Sequence, residues 1–309
     1  MSMDGLTHHI SSRYNDELER LRRSVLGMGE LVERQLTQAI GGISQPDEDV
    51  ILKVAQDELH VNQLERDIDE DCNRILATRG PTASDLRLII TILKTITDLE
   101  RIGDEAEKIA AISANLAARE RPRSRYRELR NMGELVLEMV HAMLDAFARM
   151  DTDRALEVLR RDRLVDEEYE GIQRQSITFM MEDPRSIRRA LDVMWVVRSL
   201  ERIGDHAKNI SEYLIYLVHG KDVRHTRIED IENELLAARA ALSRPTPAAA
   251  LGAVAAPLPG AAATAAAGPP VLPGAGERAS GSAALGVASP PLGLAGSAGS
   301  LAAKAARAD

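Results

Sequence analysis

Asp98-Leu99-Glu100-Arg101-Ile102-Gly103-Asp104 returns, with only its first residue changed, as Ser199-Leu200-Glu201-Arg202-Ile203-Gly204-Asp205. Each copy lies near the middle of a long run whose apolar residues step by three or four, so the chain reads as two copies of one helical module. On a helix, residues four apart share a face. Glu100 therefore stands beside Asp104, and Glu201 beside Asp205, as two carboxylate pairs. A glycine, Gly103 or Gly204, sits inside each pair. Glycine within a helix costs roughly 1 kcal/mol against alanine, and a cost met twice at one place predicts that a neighbouring helix or an ion approaches the bare backbone.

Outward from the motif the duplication continues. Met28-Gly29-Glu30-Leu31-Val32 reappears 104 positions later as Met132-Gly133-Glu134-Leu135-Val136, and the same offset carries Asp47 to Asp151, Val54 to Val158 and Glu58 to Asp162. At the acid pairs the offset is 101, which places a three-residue deletion between the second and third helices of the second copy. The first copy predicts a helix over 14–43, marked by Leu18, Leu21, Val25, Met28, Val32, Leu36 and Ile40. A second runs from the acidic turn after Pro46 to about Ala77, before Arg79-Gly80-Pro81. The third opens at Thr82, with Asp85 three residues on in the manner of a capping box, and carries the first acid pair. In the second copy Glu182-Asp183-Pro184 predicts a tight restart with Asp as cap and Pro at the first position, and Gly220 closes the sixth helix. A further short helix is read over 228–242.

The fold class is all-α: two tandem three-helix bundles related by internal duplication, one over 10–120 and one over 121–226, parted by the basic, proline-marked connector around Arg121-Pro122-Arg123. Residues 227–309 are read as a low-complexity Ala/Pro/Gly-rich tail. Between Pro245 and Asp309 only five residues are charged and none is aromatic, a composition that cannot bury enough surface to offset chain entropy. On this reading, ending the chain at Thr226 leaves its thermal stability nearly unchanged. Aromatic residues make up 3% of the 309, so the cores must be aliphatic. A net charge of -9 argues against nucleic acid as a partner, because phosphate backbones are held by basic patches. The single Cys72 makes no intramolecular disulfide, which together with the lack of an apolar leader points to the cytoplasm. No window approaches 18 uninterrupted apolar residues.

Oxygen-bearing side chains recur on the second helix of each copy: Glu58 with Asn62 and Glu65 with Asp69, then Asp162, Asp166 and Glu170 in one row. Should these rows face the pairs on the third helices, four or more oxygen ligands converge. The metal-ligand set read from this pattern is Glu100, Asp104, Asn62, Glu65 and Asp69 in the first bundle and Glu201, Asp205, Asp162, Asp166 and Glu170 in the second. Carboxylate and amide oxygens without thiolates suit hard or borderline divalent or trivalent cations, and a cation removes the repulsion of crowded carboxylates. The competing reading is a solvated helix flank whose acids pair with Arg or Lys, each exposed pair contributing about 0–1 kcal/mol. Arg101 and Arg202 point about 100° away from the acids beside them. His206 has Glu105 as its counterpart and is read as a packing or surface residue. Glu138 and His141 have the Glu-x-x-His spacing of di-iron bundles, but Arg34 and Thr37 stand 104 positions earlier, so the motif is single. No nucleophile elbow, phosphate loop or zinc-finger spacing is present.

The doubled motif, together with Pro81-Thr82-Ala83-Ser84-Asp85-Leu86-Arg87, Met180-Met181-Glu182-Asp183-Pro184-Arg185 and Val223-Arg224-His225-Thr226, closely resembles the PhoU family from about residue 10 to 226. The resemblance implies a cytoplasmic, often homodimeric protein that accompanies the phosphate-specific ABC transporter and a phosphate-sensing histidine kinase. There it acts as a negative regulator of phosphate uptake and of the phosphate regulon, reaching the membrane only peripherally through those partners. It also implies that Glu100, Asp104, Glu201 and Asp205 match the family's Glu/Asp-x-x-x-Asp metal motif, which binds iron or zinc clusters in some members. The alternative from a different class is a carboxylate-bridged metalloenzyme on the same bundle.

Overall fold

Aliphatic residues at helical spacing build seven α-helices in the computed structural model, which describes residues 4–44, 47–81, 83–117 and 127–242. These are α1 (Asp4–Ser44), α2 (Glu48–Arg79), α3 (Ala83–Ala117), α4 (Arg127–Arg149), α5 (Thr152–Glu182), α6 (Ile187–His219) and α7 (Ile228–Leu242). Their ends follow the local chemistry. Asp47 caps α2 by accepting the Asp49 N–H at 3.0 Å, and its counterpart Asp151 caps α5 by accepting from Asp153 and Arg154. Gly80 and Gly220, both with positive φ, stop α2 and α6. Asp183 accepts the Arg185 N–H at 2.9 Å and starts a 3-10 turn, Pro184–Ser186, which runs into α6. Pro46, the Thr82 half of the capping box and the connector around Pro122 lie outside the described residues.

α1, α2 and α3 pack as one three-helix unit and α4, α5 and α6 as another. The third helices, α3 and α6, lie against each other, and so do the first helices, α1 and α4, joining both units in one compact body. The core is aliphatic apart from Phe147, as the scarcity of aromatics requires: Leu21, Met28, Leu36, Ile92, Ile96, Leu99 and Ile102 are fully buried, while the single Trp195 is 64% exposed.

The repeated Met-Gly-Glu-Leu-Val segment marks the α1–α4 crossing. A Cβ placed on Gly29 would run into the tip of Leu144, and one on Gly133 would stand 3.0 Å from Ile40 Cγ2. Gly133 and Leu144 are the counterparts of Gly29 and Ile40 at the offset of 104, so one contact is made twice about an internal two-fold. Along α3–α6, Lys94 stacks over Tyr213, Asp98 meets His206 and Glu105 meets Arg202. Rising numbers on α3 thus meet falling numbers on α6: the two motif helices run antiparallel, with their motifs side by side.

The helix read over 228–242 is α7, and it packs on α5 with Ile231 and Leu235 buried. Arg160 and Glu232 pair across this contact. Residues 228–242 of the segment read as tail thus form a helix packed on α5. Residues 243–309 lie outside the described residues.

Candidate metal centre

Glu58 is an acid in an apolar stripe. It falls between Val54 and Val61, both fully buried, on the face of α2 that packs into the first bundle. There its carboxylate meets the acid pair of α3, and oxygen atoms of Glu58, Glu100 and Asp104 lie within 4.8 Å of one another. Gly103 makes the approach possible. A Cβ at that position would stand 2.5 Å from Glu58 Oε2 and 3.1 Å from Gln35 Oε1, so the bare backbone admits a neighbouring helix's carboxylate.

Two amides hold Glu58 in place: Gln35 of α1 donates to Oε2 at 2.8 Å and Asn62 donates to Oε1 at 3.1 Å. Gln35 is fully buried, and its own Oε1 has no hydrogen-bond partner, which leaves a free acceptor on the amide that holds Glu58. Burial pushes the Glu58 carboxyl up to about 7, with the Gln35 hydrogen bond pulling down and the charges of Asp104 and Glu100 pushing up. Burial and then Asp104 raise Glu100 as well. Lys108 reaches Asp104 only at 3.7 Å, from a half-exposed position, and bonds Glu105 more closely at 3.1 Å. Three acids and a bare carbonyl oxygen, short of positive charge, fit a hard or borderline cation by donor type.

The remaining residues of the first ligand set are placed differently. Asn62 reaches the group as a donor to Glu58. Glu65 is half-buried, accepts from Thr97 at 3.4 Å, and adds its charge to the field at Glu100. Asp69 is exposed and bonded to Asn73. The set read for α2 left out Glu58, although an acid interrupting a Val-x-x-x-Glu-x-x-Val stripe was a signal in the sequence.

In the second bundle Asp162 is the counterpart of Glu58 and is likewise buried, between Val158 and Val165. Asp166, Glu201 and Asp205 are close enough that each has its carboxyl raised, first by burial and then by a neighbouring acid. Glu170 is exposed. Lys208 Nζ, however, sits 2.5 Å from Asp162 Oδ2, and Arg198 bonds Glu201 at 3.0 Å. Gly204 has ordinary neighbours: its Cβ would meet Val165 Cγ1 at 3.5 Å and Met139 Cε at 3.9 Å.

His206, as expected, is a packing residue rather than a member of the acid groups, since its Nδ1 is bound to Asp98 at 2.8 Å. Glu138 and His141 part company: Glu138 bonds Arg161 and His141 bonds Glu33 of α1. The di-iron arrangement is thus not assembled at this pair.

The model of the PhoU domain matches this chain twice, over residues 25–113 and 129–214, one match to each bundle. The chain belongs to the PhoU family. It is 52% identical over 238 residues to the phosphate-specific transport system accessory protein PhoU homolog of Pseudomonas aeruginosa, covering 75% of this chain and 98% of that one. With the PhoU accessory protein of Escherichia coli K12 it shares 45% over 234 residues, 76% of this chain and 96% of that one. A crystal structure of PhoU from P. aeruginosa superposes with a TM-score of 0.65 at 51% identity, over 67% of this chain and all of that one. The phosphate transport system regulatory protein PhoU of Streptococcus pneumoniae gives 0.63 at 30% identity, over 68% and 99%. The two PhoU matches fall on the two halves that the repeated motif divides.

Proposed function

We propose that this PhoU-family protein is a cytoplasmic negative regulator of phosphate uptake that works by binding, without catalytic turnover. Its helical surfaces couple a subunit of the phosphate ABC transporter to a sensor histidine kinase, in a chain that pairs with a second copy of itself. The observation that carries this reading is the identity of 45–52% with phosphate-transport accessory proteins over nearly their whole length. No helix among the described residues is long and apolar enough to cross a membrane; in this reading the protein meets the membrane through its partners. The first bundle holds the metal in this reading: Glu58, Glu100 and Asp104 are its carboxylate ligands, Gln35 Oε1 is a neutral ligand within reach, and iron or zinc is the ion. The bound charge joins α2 to α3 by cancelling the repulsion of their acids.

Affinity capture of the full chain from cells grown at high and at low phosphate tests the regulatory reading. Recovery of the transporter ATPase or permease subunit and of the kinase, with a ratio that changes with phosphate, is the expected result. Capture of neither under both conditions overturns it.

A further inference from the structure

Around the acid pairs the two copies have diverged at several matched positions, Asn62 against Asp166 among them, and three of the changes bear on what neutralises the acids. Gln35 is replaced by Met139, Glu58 by Asp162 and Glu107 by Lys208. Each change has a consequence at the site. Methionine cannot donate the hydrogen bond by which Gln35 fixes Glu58. Aspartate is one methylene shorter than glutamate and reaches less far from its own helix. Lysine brings a positive charge where the first bundle carries a negative one. The outcome is a contact of 2.5 Å between Lys208 Nζ and Asp162 Oδ2, with Lys208 half-buried. Among the described residues, only the acids of the first bundle gather as a group of three within 4.8 Å.

We infer that Lys208 is the resident cation of the second bundle, an ammonium that takes the place a metal ion takes in the first, so that the chain loads metal through one motif and not through both. This rests on the metal reading of the first bundle, and it replaces the symmetric expectation that both acid pairs ligate. It also assigns different work to the halves. The joint between α2 and α3 depends on metal supply, whereas the joint between α5 and α6 is permanent.

The test is metal content of the full chain, stripped with chelator, reloaded with Zn²⁺ or Fe²⁺ separately, desalted and measured by elemental analysis, with helix content followed by circular dichroism. Glu100→Gln with Asp104→Asn should bring bound metal to background, and Glu201→Gln with Asp205→Asn should leave it unchanged. Lys208→Met should raise metal content above the parent, and adding the Glu201 and Asp205 changes to that variant should remove the gain. A fall in metal caused by the Glu201 and Asp205 changes in the parent overturns the assignment and does not depend on how well the Lys208 variant folds. A folded Lys208→Met chain with no extra metal overturns it too. A parent without metal beside a Lys208→Met chain that binds it would sustain the role of Lys208 while removing the metal from the first bundle.

Discussion

Asp98 of α3 and His206 of α6 meet at 2.8 Å inside the seam between the two bundles, both almost fully buried. A carboxylate can only accept, so His206 Nδ1 carries the proton it donates. By the internal two-fold the matching pair would be Ser199 and Glu105, and there the chain uses a different solution: Glu105 takes Arg202 at 2.6 Å and Lys108 at 3.1 Å.

Removing one partner of a buried polar pair strands the other. His206→Ala takes one buried hydrogen-bond partner from Asp98, which is 3% exposed and keeps Tyr213 and, at 3.6 Å, Arg101, and should destabilise the protein by roughly 1–3 kcal/mol. Asp98→Asn, which keeps an acceptor for His206, should cost clearly less. Urea denaturation of both variants checks the order.

The two motif glycines should behave differently. Gly204→Ala meets ordinary van der Waals distances, so the variant should gain up to about 1 kcal/mol of helix propensity with metal content unchanged. Gly103→Ala forces the Glu58 carboxylate aside and should lower metal affinity at least about 10-fold, in line with the loss of a supporting contact at a metal site. Thermal unfolding with and without Zn²⁺ separates the two effects.

Glu58 links stability to pH. Its carboxyl is raised in the folded chain to about 7 from an ordinary 4.5. The stability it contributes is therefore intact below about pH 4.5 and lost as pH climbs through about 7. For the metal-free chain the loss is at most roughly 3 kcal/mol. Glu58→Gln should flatten that part of the pH–stability curve, and metal loading of the parent near pH 6 should release a proton that the variant does not release. Chemical denaturation between pH 4 and 8 and calorimetry in buffers of different ionisation enthalpy provide the readouts.

α7 should matter to stability. Ending the chain at Thr226 rather than at Leu242 removes Ile231 and Leu235 from their buried positions on α5. Two aliphatic side chains lost from burial, less the entropy of ordering the helix, amount to roughly 2–4 kcal/mol. Comparing unfolding of the two truncated chains isolates the helix.

What the sequence by itself determined is everything with a short range. The three-and-four spacing of Leu, Ile and Val set the helices, Asp47, Asp151 and Gly220 set their ends, and the spacing of Glu100 to Asp104 put two carboxylates on one face, because backbone geometry alone fixes which residues share a helix side. The duplication was legible for the same reason, as one local pattern written twice. The Val54 and Val61 stripe turns Glu58 toward the core, but only the tertiary structure decided that it joins the acid pair of α3. Each residue turns the helix by about 100°, so the choice of Glu58 over Glu65 or Asp69 depends on how α2 is rotated and staggered against α3, and that is set by all the packed side chains together. The same holds for Lys208 on Asp162 and His206 on Asp98: each joins residues far apart in the chain, and spacing along one helix carries no information about the rotation of its neighbour.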